Sequence, residues 1–312
     1  VMITGDRLET AIAIAKDAGL IQSNSDRALS SAELNEMSDD EVKKLIPHIR
    51  VIARALPTDK SRMVRLCQEM NLVVGMTGDG VNDSPALKRA DVGFAMGNGT
   101  EAAKEAGEIV ILDDNFRSIK DAILYGRTIY HNILKFCKFQ LVINVTAVIV
   151  SAIAPFFGVE EPLKVTHLLF VNLVMDGLGA IMLGNEPAKE SYMMEKPRRR
   201  DENIISKKMA IQILTMGLWL TVISFIYLKL PFFANLFDGN EEELLTGYFV
   251  LFIASALFNG FNVRDEGFGI FKGLNENTGF LKVFFAIIIV QALIVNAGAV
   301  PFAPFQFIGK MF

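Results

Sequence analysis

The sequence predicts an α/β domain built on a mostly parallel sheet, followed by an all-α bundle of membrane-spanning helices. Three observations carry that expectation. Up to about Lys138 charged residues are frequent and apolar runs short, whereas beyond it come long apolar stretches, and ~20 residues suffice to cross a bilayer. In the first part short apolar runs alternate with helical patterns, as in a parallel sheet with helices on both faces. Within it the loop Thr77-Gly78-Asp79-Gly80-Val81-Asn82-Asp83 follows the apolar run Leu72 to Met76, and the exit of a buried strand is where an open α/β sheet places its ligands.

The averages conceal this division. The chain has 312 residues, 51% hydrophobic and 21% charged, with a mean hydropathy of +0.35. One soluble and one membrane-embedded unit follow, with membrane lipid as a partner. A formal charge of −4 is too small to imply nucleic acid as a partner. Cys67 and Cys137 both fall in the part expected on the cytoplasmic side, so reduced thiols are the expectation for both. His48, His131 and His167 have no metal-ligand spacing and read as structural or surface residues. No secretory signal is present and residue 1 is Val inside an apparent strand. The sequence is therefore expected to begin within a domain, as a fragment.

In chain order, Val1 to Ile3 reads as a short strand running into Thr4-Gly5-Asp6. A helix follows with Leu8, Ala11, Ile12, Ala15 and Ala18 on one face and Gly19 placed to end it. Gln22 to Glu41, rich in Ser, Asn and Asp, reads as a surface excursion. Val51 to Ala53 is a second strand, and Pro57 begins a helix carrying Met63, Leu66 and Met70. Leu72 to Met76 is the strand that delivers the Gly-Asp loop, Ser84-Pro85 begins a short helix, and Val92 to Met96 is another strand. Thr100 caps a helix over Glu101 to Gly107, and Glu108 to Leu112 closes the set.

From Asn115 to Lys138 apolar residues recur at helical spacing, at Phe116, Ile119, Ile123, Ile129, Ile133 and Phe136. The pattern is then continuously apolar through Phe157. One helix over 115–157 would run ~65 Å; two helices broken near Lys138 are the alternative. Further spans are expected near 165–184, 209–230, 245–263 and 279–300, giving a soluble domain over 1–114, a connecting helix over 115–138 and a membrane domain over 139–312. The link between the second and third spans carries Lys196, Arg198, Arg199, Arg200, Lys207 and Lys208, while the opposite loops hold Glu160, Glu161, Asp238, Glu241, Glu242 and Glu243. The positive-inside rule puts the basic link in the cytoplasm with the soluble domain, and Pro301 to Phe312 on the far side.

Two sets of residues are candidates for chemistry. Gly78 and Gly80 allow tight turns and close approach of a ligand, and Asp79 and Asp83 are hard oxygen donors of the kind that hold Mg²⁺ beside a phosphate. In the membrane part, Asp176 lies inside an apolar span, where a charge costs ~2.5–3.5 kcal/mol on insertion scales and points to function. Asn172 is four residues earlier, on the same face of a regular helix. Gly177 and Gly179 follow and would let the helix loosen and free carbonyls, and Asn144 in the first span adds an amide oxygen. Two amides and a carboxylate make an oxygen-only site suited to a hard cation.

The loop Thr77 to Asp83 resembles the second hinge motif of P-type ATPases, cation pumps that pass through an aspartyl phosphate and whose phosphorylation domain is haloacid-dehalogenase-like. Thr4-Gly5-Asp6 resembles an earlier phosphate-contacting motif, although Arg7 stands where most members have Asn or His. Lys60, in Ala53-Arg54-Ala55-Leu56-Pro57-Thr58-Asp59-Lys60, falls where the family keeps a phosphate-binding lysine, and Ser84 to Gly93 continues the likeness. The resemblance implies ATP and Mg²⁺ as cofactors. Asp79 would coordinate Mg²⁺ with Asn82 and Asp83 in support, and Lys60 and Thr4, with Gly5 and Asp6, would hold the transferred phosphoryl group. Phosphoryl transfer is mainly positioning and charge neutralisation, so these are the parts it needs. The family's nucleophile motif, Asp-Lys-Thr-Gly-Thr, does not occur in the chain. The missing amino-terminal half is thus the expected partner, a fragment alone is expected to be inactive, and a further carboxyl-terminal span is expected beyond Phe312.

The helix from 115 resembles the family's stalk. Val171-Asn172-Leu173-Val174-Met175-Asp176 and Asn144-Val145-Thr146-Ala147-Val148-Ile149-Val150 resemble span motifs of calcium pumps, the plasma-membrane type most of all. Reticulum-type pumps carry Glu, Thr and Glu where Ala147, Met175 and Ala256 stand here, which implies one Ca²⁺ site in place of two, and Ca²⁺ export across the cell membrane. Transport of another cation such as Mn²⁺ is one alternative. A membrane-anchored, haloacid-dehalogenase-like remnant that does not pump is the other.

Overall fold

Short aliphatic runs separated by amphipathic segments fold, in the computed structural model, into two three-stranded parallel sheets. The structure describes residues 1–199, 201–264 and 273–296 and divides into two units, Val1–Ile123 with Met194–Glu202 and Leu124–Met193 with Asn203–Phe312. In the first unit β1 (Met2–Ile3), β2 (Arg27–Ser30) and β3 (Ile49–Ala53) pair in the order β1-β3-β2. The strands β4 (Gly75–Gly78), β5 (Val92–Met96) and β6 (Ile109–Ile111) pair in sequence. Parallel pairing needs crossovers, and it puts the carboxyl ends of each sheet's strands along one edge.

Those crossovers are helices with one apolar face. α1 (Leu8–Asp17) buries Ala11 and Ala15 against Val51 and Ala53 of β3. α4 (Pro57–Glu69) starts with Pro in its first turn, where the missing N–H costs nothing. Its Met63 and Leu66 join Leu29, Leu34, Ile49 and Ile52, while its Val64 packs with Ala86 and Ala90 at α5 (Ser84–Arg89). One helix thus serves two apolar clusters. α6 (Glu101–Ala106) is capped by Thr100, whose hydroxyl accepts the Ala103 N–H at 3.3 Å.

Two expectations for this unit need correction. Gln22 to Glu41 is not a mere excursion: it holds β2, α2 (Ser31–Glu36) and the start of α3 (Asp39–Leu45). Its few apolar residues, Leu29 and Leu34, are buried, and its polar ones form capping boxes in which Ser30 with Glu33, and Ser38 with Glu41, satisfy each other's helix-end amides. The strand expected over Leu72 to Met76 begins only at Gly75. Leu72 and Val73 are exposed, because pairing with β5 starts at Gly75 opposite Val92.

α7 (Phe116–Ile153), which enters the second unit at Leu124, is one unbroken helix of 38 residues, and no break occurs near Lys138. It ends sooner than the 115–157 expected: Ala154–Phe157 is a 3-10 turn containing Pro155, which cannot continue the ladder. α8 (Val165–Phe170) runs through a π turn, Val171–Met175, into α9 (Asp176–Gly184). After it come α10 (Lys207–Lys229), α11 (Pro231–Leu236), α12 (Glu241–Arg264) and α13 (Thr278–Asn296). Among the described residues five segments are long and apolar enough to cross a membrane: Phe116–Phe157, Val165–Gly184, Lys207–Lys229, Glu241–Arg264 and Thr278–Val295. α12 is the most buried, and its Tyr248, Phe249, Ile253 and Ala256 centre the main core. Leu214, Leu218, Trp219 and Ile226 of α10 point outward, as side chains meeting lipid would. Arg200 of the basic link, residues 297–300 of the last expected span and the segment Pro301 to Phe312 lie outside the described residues.

Candidate functional site

The Gly-Asp loop leaves β4 at Gly78 and turns through a 3-10 segment, Val81–Asp83, into α5. Asp83 organises it. The residue is 5% exposed; Oδ1 accepts from the Lys60 ammonium at 2.5 Å and Oδ2 accepts from the amides of Asp79 and Gly80 at 3.2 and 3.3 Å. The carboxyl folds so closely beneath β4 that a Cβ on Gly78 would lie 2.7 Å from Asp83 Cγ, so a bare backbone is required there. Both Asp83 oxygens are committed, whereas Asp79 and Asn82 are exposed and the Asp79 carboxylate has no partner among the described residues. The Asp79 carboxylate is thus left open, and Asp83 is the residue that shapes the loop and presents Lys60.

Thr4, Gly5 and Asp6 follow β1. Thr4 Oγ1 donates to Asp6 Oδ2 at 2.9 Å, and the amide of Asp6 donates to Thr4 Oγ1 at 3.2 Å. The chain beyond β3 holds this turn, with Ala55 N donating to Thr4 O and Arg54 N to Asp6 O. The structure brings Lys60 to the Asp83 loop. Among the described residues no hydrogen bond joins Thr4, Gly5 or Asp6 to either. Nor do three Asp, Glu, His or Cys side chains converge anywhere as a metal site among the described residues.

Two supports of this site were not legible in the motifs. Thr100 N donates to Asp79 O at 2.8 Å, and a Cβ on Gly99 would lie 2.9 Å from that same oxygen. The turn after β5 therefore presses on the Asp79 backbone. Asp59, next to Lys60, is 1% exposed and accepts from Ser31 Oγ at 2.6 Å, Asn35 Nδ2 at 3.1 Å and Leu56 N at 2.8 Å. Three donors compensate its burial and tie the start of α4 to α2, in the very stretch that composition marks as surface.

In the second unit Asp176 is 6% exposed and accepts from Gln140 Nε2 of α7 at 2.8 Å. Asn144 is half-buried, one turn beyond Gln140 on α7, while Asn172 is exposed. The regular helix expected from Asn172 to Asp176 is a π turn over Val171–Met175, and across it Asn172 is exposed while Asp176 is buried. The loosening expected at Gly177 and Gly179 is likewise displaced to the turn before Asp176, since both glycines sit in regular α9. Gly179 has another use, because a Cβ there would lie 2.7 Å from the Phe139 ring. Ala147, Met175 and Ala256 are buried apolar residues.

A buried ionic cluster closes the end of α9. Glu186 Oε1 accepts from Arg264 Nε at 2.7 Å and Asn277 Nδ2 at 2.6 Å, and Lys135 Nζ lies 3.7 Å from Oε2. Asn132 Nδ2 donates to the carbonyls of Gly184 and Glu186, both at 3.1 Å. Arg264 also lies over the Phe280 ring at 4.7 Å. Lys135 Nζ and Arg264 Nη1 have no hydrogen-bond partner among the described residues. Of the three histidines, His131 stacks on Tyr192 and His167 on Phe249, while His48 is exposed.

Residues 160–308 match the family described as cation transporting ATPase, C-terminus, and residues 63–123 match haloacid dehalogenase-like hydrolase. A probable plasma membrane-type calcium-transporting ATPase of Oryza sativa is 38% identical over 300 residues, 95% of this chain and 29% of that protein. A plasma membrane-type calcium-transporting ATPase of Arabidopsis thaliana is 39% identical over 302 residues, again 95% and 29%. The plasma membrane calcium-transporting ATPase 1 of Mus musculus is 38% identical over 327 residues, 97% of this chain and 27% of that protein. The chain belongs to the calcium-pump group of P-type ATPases. It spans less than a third of the length of these relatives. The parallel sheets are accordingly those of a haloacid-dehalogenase-like domain, and the helices from α7 onward form the family's transmembrane region.

Proposed function

We propose that the protein carrying this chain is an ATP-driven Ca²⁺ exporter that passes through an aspartyl phosphate and moves one Ca²⁺ per cycle. The observation that carries this reading is Asp176, a residue 6% exposed within an apolar span whose carboxylate accepts from the Gln140 side-chain amide of α7. Oxygen-only donors suit a hard cation. The apolar Ala147, Met175 and Ala256 support a single site.

In the soluble unit Lys60 is poised to take a phosphoryl oxygen when the Asp83 carboxylate yields it. Thr4, Gly5 and Asp6 present a hydroxyl and turn amides at the end of β1 for the same group. Mg²⁺, held through Asp79 in the loop that Asn82 and Asp83 complete, supplies neutralisation of phosphoryl charge. Gly99 and Thr100 hold the Asp79 backbone in place. The aspartate that accepts the phosphoryl group from ATP is outside these residues, so the chain needs the rest of its polypeptide to turn over. Lys196, Arg198, Arg199, Lys207 and Lys208 in the link before α10 favour a cytoplasmic soluble domain, and the plasma membrane is the proposed location.

The test is ATP-dependent ⁴⁵Ca²⁺ uptake by inside-out vesicles bearing the full-length protein, with Mn²⁺ in a parallel arm. Uptake that falls at least tenfold in both Asp79→Asn and Asp176→Asn is expected. Uptake of Mn²⁺ and not Ca²⁺ would reassign the cargo. No ATP-driven uptake of either ion would favour a non-pumping remnant.

A further inference from the structure

Among the described residues Asp176 has one hydrogen-bond partner, Gln140, and four observations give that residue a larger part. A carboxylate only accepts, so the nitrogen of the Gln140 amide must face it. The amide oxygen, Oε1, then takes no hydrogen bond among the described residues. Gln140 and Asn144 are one turn apart on the unbroken α7, so both amides belong to one face. Asn172, on the π turn, is exposed, whereas Gln140 already touches the Asp176 carboxylate. Finally, the Gln140 contact belongs to a seam. Gln140 meets Asp176, the Phe139 ring occupies the space a Gly179 side chain would need, and Asn132 binds the carbonyls of Gly184 and Glu186. As α7 is followed toward its start, α9 is followed toward its end. The two segments run antiparallel with their register pinned at three places, so the amide is held at the carboxylate by the fold and not by its own rotamer alone.

We infer that Gln140 is a cation ligand, holding Asp176 through Nε2 in the empty site and giving Oε1 to the bound cation. The inference rests on the reading of Asp176 as the transport carboxylate. A cation that takes Asp176 competes with Nε2 for the same oxygen. Rotation about the last side-chain torsion exchanges nitrogen for oxygen and turns a donor into a ligand. Ca²⁺ takes six to eight oxygens, side-chain amides among them, so Gln140 adds a donor to the set of Asn144, Asn172 and Asp176. A neutral amide does this without adding a second buried charge to the site.

Equilibrium ⁴⁵Ca²⁺ binding to the full-length protein in detergent, without ATP, tests this, with thermal melting followed by circular dichroism as the check on folding. Gln140→Leu should weaken binding at least tenfold with an unchanged melt. Gln140→Glu keeps an oxygen but loses the N–H, and should bind within about threefold of the parent or tighter. Binding by Gln140→Leu equal to the parent, while Asp176→Asn loses it, would overturn the inference and leave the site reading standing. Equal weakening in the Leu and Glu variants would also overturn it, since N–H donation alone would then matter. Parent-like binding by Asp176→Asn would overturn the site reading itself.

Discussion

Replacing Glu186 by Gln removes the one carboxylate that faces two buried cations. Its side chain is 3% exposed, with Arg264 at 4% and Lys135 at 11%. The pair as a whole adds little net stability, because desolvation offsets attraction, but removing one partner leaves an uncompensated buried charge and costs about 3–5 kcal/mol. The Gln carbonyl still accepts from Asn277, whose bond to Oε1 is 2.6 Å, so Glu186→Gln belongs near 3 kcal/mol and Glu186→Ala near 5 on that scale. Pairing Glu186→Gln with Arg264→Gln removes the stranded guanidinium and should recover about half of the loss. An equilibrium SDS titration of the solubilised chain, followed by its aromatic fluorescence, reads these differences. A Glu186→Gln midpoint equal to the parent's, or a double variant weaker than the sum of its singles, would refute the reasoning.

Three other outcomes follow from the first unit. Gly78→Ala forces a methyl onto the Asp83 carboxyl, 2.7 Å from Cγ, and should cost about 1–3 kcal/mol by overpacking and loosen the Lys60–Asp83 pair, read as faster hydrogen exchange in the loop. Hydrogen bonds from Arg65 and then Arg62 hold the Asp39 carboxyl below its usual range. Its contribution is present above the unfolded carboxylate value and lost as pH falls through the lower folded one, so protection of the α3 amides, taken relative to their intrinsic exchange rate at each pH, should fall on acidification in the parent and already be low at neutral pH in Asp39→Asn. Burial pushes the Cys67 thiol up, so maleimide labelling at neutral pH should be slower than for a free peptide thiol and should climb steeply with alkalinity; a peptide-like rate would contradict the burial.

The sequence made the chemistry of the soluble unit legible because its parts are local. Gly78, Asp79 and Asp83 sit within one turn, and the strand before it and the helix after it bracket the loop. What joins that loop to Lys60 is tertiary, and no spacing rule reports that Asp83 is committed to Lys60 and the loop amides while Asp79 stays open. The stretch Gln22 to Glu41 was misread because Ser30, Glu33, Ser38 and Glu41 are polar for the sake of helix ends, and composition does not distinguish caps from solvent. In the membrane part the apolar lengths mark the spans well, but nothing in α-helical spacing signals the π turn that precedes Asp176. Gln140 gives no signal of its own, because an amide at the edge of an apolar run stands out only once its partner across the seam, Asp176, is known. Glu186 sits just past a span end, where a charge ordinarily meets water.

The central claim is that Asp176 is the carboxylate through which Ca²⁺ drives phosphorylation. Its most direct test is Ca²⁺-dependent incorporation of the ATP γ-phosphate into the full-length protein as a hydroxylamine-labile phosphoenzyme. Labelling that requires Ca²⁺ in the parent and is lost in Asp176→Asn is the predicted result; labelling in Asp176→Asn with the parent's Ca²⁺ dependence would contradict it.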